Sequence, residues 1–183
     1  MTPGPTTPQH PQGRGDPAAP LGAGEWFAPV DPRSGDPGLR FSCTMCGNCC
    51  TGPEGYVLLS DAEASALAQR FQITLDEFFE RYTHPTRHGR SLREVATEKT
   101  PQPVAASMVW RDCVFLDRDT IPGKAICSVY DARPGQCKSW PFWPSNLKDQ
   151  ASWERTKRTC PGTDTGTLVP VEQIRIQRDA VRI

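Results

Sequence analysis

Four cysteines in eight positions, Cys43, Cys46, Cys49 and Cys50, spell C-x2-C-x2-C-C. Two residues between cysteines let the chain turn so that both sulfurs reach one ion. Zinc takes four such ligands at about 2.3 Å in a tetrahedron. Gly47 directly follows the second cysteine. Glycine tolerates φ > 0, which turns backbone N–H groups back toward the thiolates. The triple C-x2-C-x2-C equally fits an iron–sulfur cluster, whose sequence runs add a remote cysteine followed by proline. Cys160-Pro161 supplies that pair here. Spacing alone does not choose between zinc and iron.

Cys49 and Cys50 are adjacent, and successive side chains diverge. If both ligate, they serve two ions or two corners of one polynuclear cluster. The second half of the chain adds Cys113, Cys127, Cys137 and Cys160. Eight thiolates make two complete four-sulfur sites. The plain alternative for any one distal cysteine is a buried structural thiol. No packing argument explains the N-terminal run, however, and a disulfide between neighbouring residues would close a strained ring.

Thiolates on a divalent metal carry net negative charge, and three cations stand close in sequence. Arg133 and Lys138 flank Cys137, and Arg40 precedes Cys43. They are candidates to offset that charge and to donate hydrogen bonds to sulfur, against the plain reading of solvated surface charge. Trp140, Phe142 and Trp143 follow Cys137 and read as an apolar lid over the cysteines rather than a base-stacking platform. His84 and His88 have a helical ligand spacing, but Pro85 between them disfavours a helix, so both read as surface-loop residues. No nucleophile elbow, phosphate-binding loop or dinucleotide fingerprint is present.

The elements that must position these residues follow from caps and periodicity. Ser60 with Glu63, and Thr74 with Glu77, form two capping boxes. The first helix would bury Leu59, Ala62, Ala66 and Leu67, and the second Leu75, Phe78, Phe79 and Tyr82. Residues 84–103 read as a loop. Residues 104–110 and 113–117 read as strands, with 124–129 as their hairpin partner across a turn containing Pro122-Gly123. A third helix is expected from Leu147 to Thr159, capped by Asn146, and a fourth with Pro170 as its first residue. Residues 1–38 hold nine of the 19 prolines and few large apolar side chains, which predicts a disordered tail. Trp26 and Phe27 are the exception there, expected to pack on the domain edge. The expected fold is α+β: a small cysteine-rich, metal-stabilised domain over 39–183 with short helices and a β-hairpin.

Lysine plus arginine and aspartate plus glutamate balance at 21 each, so global charge gives no argument for a nucleic-acid partner. Residues 1–24 contain no apolar run of the secretory kind, and no stretch reaches the roughly 18 apolar residues of a membrane span. A cytoplasmic location with reduced cysteines is expected.

The run FSCTMCGNCCTG, followed by CVFLD, CSVYDARPGQCKSWPF and CPG, resembles the YkgJ-like CxxCxxCC cysteine-cluster proteins over about residues 41–162. That resemblance implies a zinc- or iron-chelating domain, with a [4Fe-4S] cluster as one form. It also implies that Cys43, Cys46, Cys49, Cys50, Cys113, Cys127, Cys137 and Cys160 are the family's cysteine set. Lys138 stands where such proteins often carry arginine, a better planar donor. Three functions stay open: a metal-binding module without catalysis of its own, an iron–sulfur redox enzyme or enzyme subunit, and a zinc-ribbon-like adaptor. A metal ion is the implied partner, and any protein partner is unknown.

Overall fold

The computed structural model describes residues 25–103 and 108–181. In chain order these form β1 (Gly38–Phe41), β2 (Thr51–Gly52), α1 (Asp61–Arg70), α2 (Leu75–Tyr82), β3 (Thr83–Thr86), β4 (Gly89–Leu92) and β5 (Glu94–Val95). They continue with β6 (Arg111–Cys113), β7 (Leu116–Asp117), β8 (Ile126–Cys127), α3 (Gly135–Lys138), α4 (Pro144–Leu147), α5 (Gln150–Thr159), β9 (Thr167–Pro170) and α6 (Val171–Asp179). Four small antiparallel sheets pair β1 with β9, β6 between β2 and β5, β3 with β4, and β7 with β8. The α+β expectation holds.

Two hydrophobic cores organise the elements. The first buries Phe27, Leu39, Phe142, Leu147, Trp153, Val171 and Ile174. The second buries Ala64, Leu67, Ala68, Phe78, Leu92, Phe115 and Val129, with Cys113 and Cys127 packed against it. Both capping boxes form: the Ser60 and Thr74 hydroxyls accept from the Glu63 and Glu77 amides, and each glutamate accepts in return. The buried face of α1 is Ala64, Leu67 and Ala68, continued by half-buried Phe71, with Ala62 and Ala66 exposed. That set keeps the i, i+3, i+4, i+7 spacing of one helix face; Ala62 and Ala66 are also four apart but lie on the opposite face.

Residues 1–24, most of the expected tail, lie outside the described residues. Residues 25–38 pack against the domain and move its edge to Glu25. Phe27 is 3% exposed in the first core, the Trp26 indole donates to the Leu147 carbonyl at 2.7 Å, and Glu25 pairs with Arg175 and Arg178 on α6. Asp31 accepts from the Arg40 guanidinium at 2.8 Å and from the amides of Arg33 and Ser34. A few large side chains placed on a ready apolar face outweigh the local proline content.

The expected loop over 84–103 carries β3, β4 and β5 instead. Arg87 and His88 form a two-residue turn into Gly89, whose φ of +127° suits glycine. Pro85 fits because β3 belongs to a two-stranded sheet with an outward edge. The expected strand 113–117 is split into β6 and β7, because the chain turns at Val114–Phe115 to bury Phe115 at 4% exposure. Its hairpin with β8 forms, Leu116 opposite Cys127, with Pro122-Gly123 in the connection. Of the expected strand 104–110, residues 104–107 lie outside the described residues. Residues 108–110 are not strand, since the Gln102 amide holds both backbone groups of Trp110. The expected long third helix is two, α4 and α5, because Asp149 rather than Asn146 caps the second, accepting from the Ser152 amide at 2.7 Å. Asn146 donates to the Pro141 carbonyl. Pro170 is the cap preceding α6 and the last residue of β9.

Candidate metal centre

The loop that carries the first four cysteines is stitched to three other segments. Ser42 donates its amide to the Gly162 carbonyl at 3.0 Å, and Asn48 donates its side chain to the Thr159 carbonyl at 2.8 Å. These two bonds bring Cys43 and Cys46 toward Cys160. Ala125 donates its amide to the Met45 carbonyl at 2.8 Å, tying the loop to the β7–β8 hairpin. There Gly47, at φ +77°, would place a Cβ only 2.6 Å from the Ala125 methyl, so glycine is required both for the turn and for the approach. Finally Thr51 pairs opposite Asp112 in register, which sets Cys50 beside the end of β6, where Cys113 lies.

Cys127 sits in β8, opposite Leu116. Cys137 lies on the short helix α3, held from α1 and from the segment that leads into α1. Glu63 accepts from the Gly135 amide at 2.6 Å, and the Gln136 side chain bridges the Leu58 amide and the Tyr56 carbonyl. Cys160 closes α5 and is 6% exposed. Its carbonyl accepts from both the amide and the hydroxyl of Thr163. Five chain segments thus deliver the eight thiols, all free of disulfides.

Their mutual effects reveal two neighbourhoods. Cys49 and Cys50 approach to 3.6 Å between sulfurs. The hydrogen bond from Cys50 lowers Cys49 to about 7 and holds Cys50 itself far above the usual thiol value, with burial and the nearby Cys49, Cys113 and Cys137 adding to the rise. Burial first, then Cys127, Glu94 and Cys49, push Cys113 up to about 12 against a backbone hydrogen bond from Phe115. Burial also raises Cys137, aided by Cys113, Cys49 and Cys127. Burial raises Cys160, with Cys46 and Cys49 as its like-charged neighbours. So Cys50, Cys113, Cys127 and Cys137 form one group, Cys46 and Cys160 another, and Cys49 faces both. Cys43 is exposed, on the segment docked to Gly162.

Of the three expected cations, Arg133 alone faces sulfur: it lowers Cys49, Cys127 and Cys137. It is held by its Nε bond to the Tyr130 carbonyl and by stacking at 3.8 Å from that ring's centroid. Arg40 is engaged with Asp31 and the Gly166 carbonyl instead. Lys138 is exposed and acts on Glu63. The aromatic trio divides. Phe142 enters the first core and stacks on Trp153, while Trp140 donates its indole N–H to the Cys160 sulfur at 3.4 Å. His84 lies in β3, and His88 rests against Tyr56 in the adjoining turn.

A network beside the cysteines was not expected. Asp112, 4% exposed, accepts from Arg118 Nε at 2.9 Å, from a terminal Arg118 nitrogen at 2.8 Å, from Thr51 at 2.6 Å and from Thr100 at 3.0 Å. Burial pushes its carboxyl up, and these donors more than reverse that. Arg118 in turn lies close enough to Cys50 for a thiolate there to act on it. The available signal was positional: Asp112 precedes Cys113 and Thr51 follows Cys50.

Among the described residues, no three His, Cys, Asp or Glu side chains are arranged as a ready-made cage for a metal ion. The donor set nevertheless fits one. Thiolates are the ligands that suit zinc and iron–sulfur centres, and they are gathered from distant segments with an arginine beside them. Within the Cys43–Cys46 turn, the buried Thr44 hydroxyl has no hydrogen-bond partner among the described residues. No described helix is long and apolar enough to cross a membrane. No solved structure matches this one. Residues 42–161, about two thirds of the chain, match a family model described as "putative zinc- or iron-chelating domain", a span that contains all eight cysteines. The chain belongs to the CxxCxxCC family.

Proposed function

We propose that this protein binds zinc or iron through the thiolates of Cys43, Cys46, Cys49, Cys50, Cys113, Cys127, Cys137 and Cys160, as a metal-binding module of the cytoplasm. What supports this reading is the tying of the loop that carries four of the cysteines to the segments that carry Cys113, Cys127 and Cys160, within a span matched by a chelating-domain family. Cys50, Cys113, Cys127 and Cys137 supply one set of ligands and Cys43, Cys46 and Cys160 the other, with Cys49 placed to serve either. A bound ion supplies a divalent charge that stabilises the thiolates and cross-links the segments bearing them. Arg133 and Arg118 lie on the side where negative charge accumulates.

Raised thiol values in Cys113, Cys127 and Cys137 mean that binding must displace protons. Affinity therefore rises with pH through the neutral range. Metal analysis of protein purified without oxygen is the test. Colourless protein with stoichiometric zinc supports a zinc module, and brown protein absorbing near roughly 400 nm supports an iron–sulfur centre. Protein that retains no metal and takes up neither ion on reconstitution overturns the reading.

A further inference from the structure

We propose that Trp140 is a positioning residue for Cys160, its indole N–H aiming and polarising the sulfur as a metal ligand. The inference rests on the metal-binding reading above and names the residue that controls one ligand.

The geometry is built from α3 outward. Trp143 donates its indole N–H to the Gln136 carbonyl at 2.8 Å. Gln136 precedes Cys137 and is itself fixed by the Leu58 and Tyr56 backbone. Trp140 stands edge-on to Trp143, with ring centroids 4.8 Å apart and an interplanar angle of 83°. That contact fixes the Trp140 ring, whose one donor then meets the Cys160 sulfur at 3.4 Å. An indole N–H can only donate, and when half-buried it needs an acceptor. A donor held on the sulfur suits a thiolate, which is a strong acceptor, better than a neutral thiol, which is a weak one. The same chain of contacts links Cys137's helix to Cys160, so the two cysteine neighbourhoods are held in mutual register by aromatic side chains.

Hydrogen bonds to a metal thiolate stabilise it against protonation and lower the energy of its sulfur lone pairs. Removing one has two readable effects. Affinity falls, by about tenfold at neutral pH, as for other groups that orient metal ligands. The sulfur-to-metal charge-transfer band moves to lower energy.

The experiment uses the full chain, loaded with Co2+ for absorption and competed against a chelator, in the wild type, Trp140→Phe and Trp26→Phe. Trp140→Phe keeps an aromatic ring and deletes the donor. It is expected to weaken Co2+ binding about tenfold and shift the band to longer wavelength. Trp26→Phe deletes an indole donor that serves the Leu147 carbonyl and no cysteine, and is expected to leave the band in place. Equal shifts in both variants would reduce the effect to general loosening and overturn the proposal. If Trp140→Phe does not fold, the wild type decides. Loaded with 113Cd2+ and labelled with 15N, it should show through-hydrogen-bond coupling between the Trp140 indole proton and cadmium, and its absence overturns the proposal. Wild-type protein that binds neither ion sinks the metal reading and this inference with it. Wild-type binding with an unchanged Trp140→Phe sinks this inference alone.

Discussion

Adjacent thiols at Cys49 and Cys50 have different surroundings, and substitution should separate them. Serine is nearly isosteric with cysteine, yet its hydroxyl stays protonated and is a weak ligand. Cys50 lies with Cys113 and Cys137, so Cys50→Ser should lower metal content by about one ion from about two if the sites are independent, leaving Cys160 protected from alkylation. Cys49 faces both groups, and Cys49→Ser should expose thiols of both. Loss of all metal in either variant would indicate one polynuclear cluster, and full retention in Cys50→Ser would remove Cys50 from the ligand set. Asp112 is the second residue with a sharp expectation. Asp112→Ala leaves Arg118 and Thr51 without their shared acceptor beside Cys50 and should cost about 3 kcal/mol in denaturant unfolding. A change below about 1 kcal/mol would class the network as an ordinary surface pair.

Local signals located some elements and missed others for definable reasons. The two capping boxes and the β7–β8 hairpin are readable from residues within a few positions of each other. The β1–β9 pair joins Gly38 to Pro170, and nothing in either short segment announces a partner so distant. The same holds for Phe27, whose burial depends on α4, α5 and α6 being in place. For the metal centre, the cysteine run and its distal set are plain in the sequence. The Asp112–Arg118 network and the Trp140 donor depend on register and side-chain direction, which spacing does not encode. Two tests address the N-terminal segment. Phe27→Ala should destabilise by about 3 to 5 kcal/mol, measured by thermal or denaturant unfolding, and an effect near zero would return residues 25–38 to the tail. Asp31 titrates well below the usual carboxylate range because Arg40 donates to it. Its contribution is complete above the ordinary aspartate value of about 3.9 and is lost as pH falls toward the folded value. Acid unfolding should therefore be less steep below about pH 4 in Asp31→Asn.

Among the described residues, two modest cores and four small sheets leave little that is continuous, and the cysteine region lies among segments belonging to both cores. Metal binding should accordingly appear as folding free energy, on the order of 10 kcal/mol for a structural zinc site. The expected result is a large drop in melting temperature when reduced protein is stripped of metal, reversed by Zn2+ or Fe2+. An unchanged melting temperature would show that the cores suffice. The β1–β9 closure also has a consequence in time. About 120 residues separate Cys43 from Cys160. At ribosomal rates of about 5–20 residues per second, the first four thiols are made roughly 6 to 24 s before the last. Through that interval β1 has no partner strand and Trp140 has no sulfur to meet. The nascent chain carries a short, flexible, four-thiol lure that can hold an ion only provisionally. On the two-set reading, the set of Cys50, Cys113, Cys127 and Cys137 would be complete once Cys137 is made, and the other only when Cys160 emerges and the strand behind it closes the fold.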